Sequence, residues 1–200
     1  TTAWNTASSR TMYAKWTCAA GYEGESCATP KIFTITLNKN TSSSDTTTVA
    51  SIYEKYATGI YTDSGATTQV TTSSANVTKT TRDKANNTTY TFNGYWTART
   101  GGTQMITADG SLTSSFTNTY FSADGTLYAQ WKMTCDAGYY LPASSLACSA
   151  CTANSYCPGG TAYTYSASAQ GITTCTSATS SKYTKSAASS SKIGQCYLTL

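Results

Sequence analysis

Histidine is absent from this chain, proline occurs three times, and charged residues make up only 11% of the 200, against a usual share of about 25%. Without imidazole, a Cys–His zinc finger and a Ser–His or Cys–His nucleophile pair are excluded, and the commonest general base is missing. The nine acids (Glu23, Glu25, Asp45, Glu54, Asp63, Asp83, Asp109, Asp124 and Asp136) are scattered. Glu23 and Glu25 sit in a tight Cys loop and read as solvated. Asp109-Gly110 and Asp124-Gly125 read as plain turns, because calcium needs several converging oxygen ligands. No catalytic group, metal or cofactor is therefore expected, and the chain is not read as an enzyme. The net charge is +4 but never gathers into a Lys/Arg run, so nucleic acid is not an expected partner. No apolar stretch approaches the roughly 20 residues of a membrane span, so no membrane insertion is expected in this segment. No secretory leader is legible, as in a mature or excised fragment.

Thr, Ser and 16 Tyr stand in place of charge. Branched and aromatic side chains pack well on a pleated surface, which points to a mainly β fold with a hydroxyl-rich exterior. The eight Cys are even in number and sit in Gly- and Ser-rich, loop-like sequence. Cys148-Ser-Ala-Cys151 has no second CxxC to complete a four-thiolate site. Disulfides are the reading, and with them an oxidising, extracellular compartment.

The cysteines also divide the chain, since residues 28–134 contain none. Residues 1–17 read as the C-terminal strand of a preceding β repeat, and 18–30 as a connector stapled by Cys18–Cys27. Residues 31–132 read as a β domain and 133–200 as a cysteine-rich module held by its bridges. Six cysteines in that module allow 15 connectivities, of which Cys135–Cys148, Cys151–Cys175 and Cys157–Cys196 are expected.

Strands are expected at 31–37, 46–53, 59–62, 69–71, 89–97, 104–107 and 126–131, where apolar residues alternate with polar ones. Brief helical turns are expected at 54–56 and within 111–120. Asp124-Gly125 reads as a hairpin turn. The expected core is Phe33, Ile35, Leu37, Phe92, Trp96, Leu127 and Trp131.

One stretch occurs twice. Thr126-Leu-Tyr-Ala-Gln-Trp-Lys-Met-Thr-Cys-Asp-Ala-Gly-Tyr139 is echoed by Thr11-Met-Tyr-Ala-Lys-Trp-Thr-Cys-Ala-Ala-Gly-Tyr22. Each copy joins a strand to a Cys loop, the signature of a tandem array.

Three motifs carry a resemblance: Phe33-Thr-Ile-Thr-Leu37, Thr89-Tyr-Thr-Phe-Asn-Gly-Tyr-Trp-Thr97 and Thr126-Leu-Tyr-Ala-Gln-Trp131. Residues 31–131 resemble the B-repeat of listerial internalins, the Listeria–Bacteroides repeat. That resemblance implies a small β-grasp-like domain of bacterial surface proteins, usually in tandem. The family's Asn-Gly-Gly after the first strand is Asn38-Lys-Asn40 here, and the leading Gly of its middle motif is Thr89. Residues 135–196 resemble cysteine-rich modules of tumour-necrosis-factor-receptor-like and growth-factor-receptor-like ectodomains, through Gly138-Tyr-Tyr140, Cys148-Ser-Ala-Cys151 and Tyr156-Cys-Pro-Gly-Gly160.

Three functional expectations follow. The first is a non-enzymatic adhesin stalk or spacer on a bacterial cell surface, its neighbours being further repeats. The second is a module that binds a host surface protein or glycan through Tyr53, Tyr56, Tyr61 and Tyr95. The third is a self-assembling filament subunit that donates residues 4–16 as a strand to its neighbour. Asn40, Asn76, Asn86 and Asn87 each begin an N-glycan sequon.

Overall fold

The computed structural model describes residues 16–152 and 155–174. Two short strands, β1 (Tyr22–Glu23) and β2 (Thr29–Pro30), form a hairpin ahead of the main sheet. The main sheet contains β3 (Ile32–Asn38), β4 (Thr48–Lys55), β5 (Gly59–Tyr61), β6 (Gln69–Val70), β7 (Thr88–Trp96), β8 (Gln104–Ile106) and β9 (Gly125–Cys135). Five two-residue strands follow: β10 (Tyr139–Tyr140), β11 (Ser149–Ala150), β12 (Ser155–Tyr156), β13 (Ala162–Tyr163) and β14 (Thr173–Thr174). The fold is mainly β and disulfide-rich, with no helix among the described residues.

Strand order in the sheet is β6-β5-β4-β3-β9-β7-β8. Each neighbouring pair is antiparallel except β3 and β9, which run parallel from Ile35 opposite Gly125 to Asn38 opposite Tyr128. The inner four strands thus have the β-grasp order, with the first and last strands parallel at the centre. Where a grasp fold crosses by a helix, this chain crosses by irregular backbone.

Alternation decides which side is the core. Phe33, Ile35 and Leu37 of β3 face inward, beside Ile52 of β4 and Leu127, Ala129, Trp131 and Met133 of β9. Segments 71–82 and 107–122 cover that face with Val77, Leu112, Phe116 and Phe121. They are tied down by Leu112 N–H to Thr71 O (3.2 Å), Val77 N–H to Gly110 O (3.2 Å) and Tyr95 O–H to Thr78 O (3.0 Å).

Four expectations need correction. The helical turn expected at 54–56 is strand as far as Lys55, because Glu54 pairs with Phe33 and Ile60 inside the sheet. The span 111–120 is turns anchored by Phe116, not helix. Asp124-Gly125 is no hairpin turn: Gly125 opens β9, packed so close to Phe121 that an added Cβ would lie 2.2 Å from its ring. Asp124 Oδ1 instead accepts from Thr34 N–H at 2.8 Å.

Trp96 is the fourth. The register of β7 against β9 slips between Phe92 and Tyr95, where Asn93 and Gly94 together oppose one residue. A bulge of one residue reverses every later side chain. Tyr95 therefore takes the inward place, fully buried, and Trp96 turns to the outer face, half-buried opposite Tyr128. Gly94 makes the bulge feasible: its φ is +102°, and a Cβ there would stand 2.2 Å from the carbonyl oxygen of Ile106.

The boundary expected at 132/133 falls inside β9. β9 runs through it without interruption, paired with β7 as far as Cys135 opposite Thr88. Cys135, Cys148 and Leu141 belong to the same buried cluster as Trp131.

Candidate functional site

The central parallel pair is also where the chain enters and leaves the sheet. β3 is entered at Ile32, directly after the β1–β2 hairpin, and β9 leaves at Cys135 into the cysteine-rich segment. Because the strands are parallel, entry and exit lie at opposite ends of the pair. Tension along the chain would slide β3 against β9 and load their hydrogen bonds together.

Both ends are stapled in the same way. Cys18–Cys27 closes a loop whose Gly21 has φ +85°, with Tyr22 N–H donating to Ala19 O at 3.1 Å. Cys135–Cys148 closes a loop whose Gly138 has φ +85°, with Tyr139 N–H donating to Asp136 O at 3.0 Å. In each copy the Tyr starts a two-residue hairpin with a strand just past the second Cys. In each, the Gly carbonyl accepts from the residue that follows: Lys31 N–H at 2.9 Å and Cys151 N–H at 2.8 Å. The sequence repeat is thus a structural one.

The two staples seat against the sheet differently. Gly21 lies under the Tyr56 ring, where a Cβ would come within 2.3 Å, and Tyr56 N–H donates to Lys31 O at 2.9 Å. At the other end, Cys148 N–H donates to the buried Thr88 hydroxyl (2.8 Å), and Tyr90 O–H to Leu146 O (3.0 Å). Gly160 N–H reaches Cys135 O at 2.9 Å, and β13 pairs with the end of β9. Lys84 Nζ meets Asp136 Oδ1 at 2.7 Å.

The loop between β3 and β4 is locked by Arg99, 54 residues beyond Asp45. Its Nη1 donates to Asn40 Oδ1 and Ser42 O (both 3.1 Å), and its Nη2 to Asp45 O (2.6 Å). The guanidinium also lies 4.8 Å from the Tyr128 ring centroid. Asn40 stands at φ +54°, a left-handed backbone that Asn tolerates. Its buried Nδ2 donates to Ala129 O (2.7 Å) and Arg99 O (2.9 Å), while its carbonyl accepts from Trp131 Nε1 (3.1 Å). That sequon is closed to a glycan in the folded chain.

The expected tyrosine face does not assemble. Tyr53 and Tyr61 oppose each other across β4 and β5, with Tyr61 buried. Tyr56 sits at the end of the sheet, edge-on to Tyr22 and Phe33. Tyr95 is in the core, where burial pushes its phenol well above the ordinary range. The Cys18–Cys27 and Cys135–Cys148 bridges are present as expected, but Cys151 pairs with Cys157. That pairing replaces Cys151–Cys175 and Cys157–Cys196. The backbone turns back within six residues and brings the two Cα atoms to 5.9 Å, inside bridging range. Cys175, Cys196 and the strand expected at 4–16 (apart from Trp16, which is 82% exposed) lie outside the described residues.

The least expected acid is Glu54, 0% exposed on the core face. Burial raises its carboxyl to about 7, against the lowering effect of N–H bonds from Phe121 and Tyr120. Phe121 N–H lies 3.2 and 3.1 Å from its two oxygens. Asp45 behaves in the opposite sense. Slight burial pushes it up, but bonds from the Thr41 hydroxyl and N–H and from Thr47 N–H hold it far below the usual range. Asp109 is lowered by the Thr107 hydroxyl and Ser111 N–H in its turn.

Arg99 and Glu54 had no motif to announce them, because each works through partners distant in sequence. Three disulfides place the described chain in an oxidising, extracellular setting, and no described helix is long and apolar enough to cross a membrane. No protein-family model, curated protein or solved structure matches the chain.

Proposed function

We propose that this chain is a non-enzymatic, force-bearing spacer segment of an extracellular surface protein, bacterial in the reading the B-repeat resemblance supports. The observation that carries the proposal is the parallel pairing of β3 with β9 at the sheet centre, entered and left through two like disulfide staples. In that geometry, end-to-end tension must shear the central ladder before any strand peels away. The staples keep the load path short, since a closed Cys loop cannot lengthen. Shared packing across Cys135 stiffens the exit, as an adhesin stalk requires.

Single-molecule pulling of the oxidised chain between its ends tests this. The expected record has one abrupt lengthening as residues 28–134 open, roughly 350–390 Å of extended chain at about 3.3–3.6 Å per residue, less the folded separation. Gradual lengthening in several small steps would contradict it.

A further inference from the structure

Between residues 79–82 and the inner face of β7 and β9 lies an open groove of about 490 Å³, within the range of small-ligand clefts. Here the cover over the sheet is incomplete. Phe92 points to the core side yet stays half-buried, edge-to-face with Tyr95 at 5.0 Å and Trp131 at 6.1 Å. Arg82 lies across Tyr90, its guanidinium carbon 3.7 Å from the ring centroid. Its Nη1 is shut off from solvent with no acceptor, and no carboxylate pairs with it among the described residues. Lys79 lines the same groove and is likewise unpaired there.

A buried guanidinium nitrogen without an acceptor is unfavourable by itself. Its neighbours supply aromatic surface and a second cation, and Asp45 favours its charge only through space, with no bonded contact between them. The complement is a ring with an apolar C–H face and a carboxylate.

We propose that this groove binds a carboxylate-bearing sugar ring, a uronic acid of an acidic polysaccharide. The C–H face of the pyranose lies on Phe92. The carboxylate pairs with the Arg82 charge, with Lys79 as the second. The site is independent of the force-bearing reading, which stands or falls on the β3–β9 pair.

Trigalacturonate and its fully methyl-esterified form have the same rings with and without charge, and each is titrated into the full chain at low ionic strength. The expected result is that trigalacturonate shifts the amide resonances of 79–82 and 90–92 and binds at least about 10-fold tighter than the ester, the effect of one charge-assisted bond. R82Q should weaken the acid by about 10-fold and leave the ester unchanged. Should R82Q fail to fold, K79Q and the wild-type shift map decide the matter. Equal affinity for acid and ester, shifts mapping elsewhere, or no binding would each overturn the proposal. Tighter binding of tri-glutamate than of trigalacturonate would overturn the sugar in favour of an acidic peptide.

Discussion

Replacing Glu54 by glutamine should make stability nearly independent of pH between 5 and 8, whereas the native chain weakens as pH rises from 5 to about 7. The carboxyl is fully buried with no cation beside it, and burial raises it from 4.5 to about 7. Between those values the folded chain holds this proton more tightly than the unfolded chain, so stability falls as pH rises. The loss begins near 4.5 and is complete above 7. At about 1.4 kcal/mol per pH unit it amounts to roughly 3 kcal/mol, a large part of the 5–15 kcal/mol that holds a typical domain. Asp45, Asp63 and Asp109 are lowered, so their contributions change below this window and leave it clear. Glutamine keeps an oxygen to accept from Phe121 N–H and carries no charge. The assay is urea unfolding of both chains at pH 5 and pH 8. The native midpoint should drop by on the order of 1 M, given a urea slope of about 1–3 kcal/mol per M, while the variant's midpoint stays put. A native chain equally stable at both pH values, or a variant with the same slope, would refute the reasoning.

Three further outcomes follow from the geometry. Changing Cys135 and Cys148 together to serine should lower stability by about 2–4 kcal/mol, read by the same urea titration, and hasten proteolysis after residue 135. Gly94→Ala puts a Cβ against the Ile106 carbonyl at a left-handed backbone position; a loss of about 1–3 kcal/mol should appear as a lower thermal midpoint. Arg99→Ala removes the clamp on residues 38–45, and amide exchange there should speed up by about 10-fold or more while β7 and β9 keep their protection.

The strands were legible because their apolar residues repeat with period two: Phe33, Ile35 and Leu37 need only a sheet and one wet face to be placed. Position 96 was not. Its side depends on one extra residue at Asn93-Gly94, and Gly94 alone marks a bulge without saying which later side chain it reverses. The same bulge took Tyr95 out of the expected tyrosine face, since Tyr95 moved inward when Trp96 moved out. Composition cannot foretell that Arg99 closes a loop more than 50 residues away, or that a carboxylate will enter a core. The repeated stretch was legible twice over, as sequence and as matching staples, whereas the pairing of Cys151 with Cys157 rests on a local chain reversal that spacing leaves open.

The central claim is that β3 and β9 form a shear-loaded clamp, and direction of force tests it most directly. Pulling between Lys31 and Lys132 loads the parallel pair along its length; pulling between Gln69 and Thr103 peels the sheet from its edge strands β6 and β8. At equal loading rate, the rupture force along the first axis should clearly exceed that along the second. Equal forces, or a weaker first axis, would contradict the clamp.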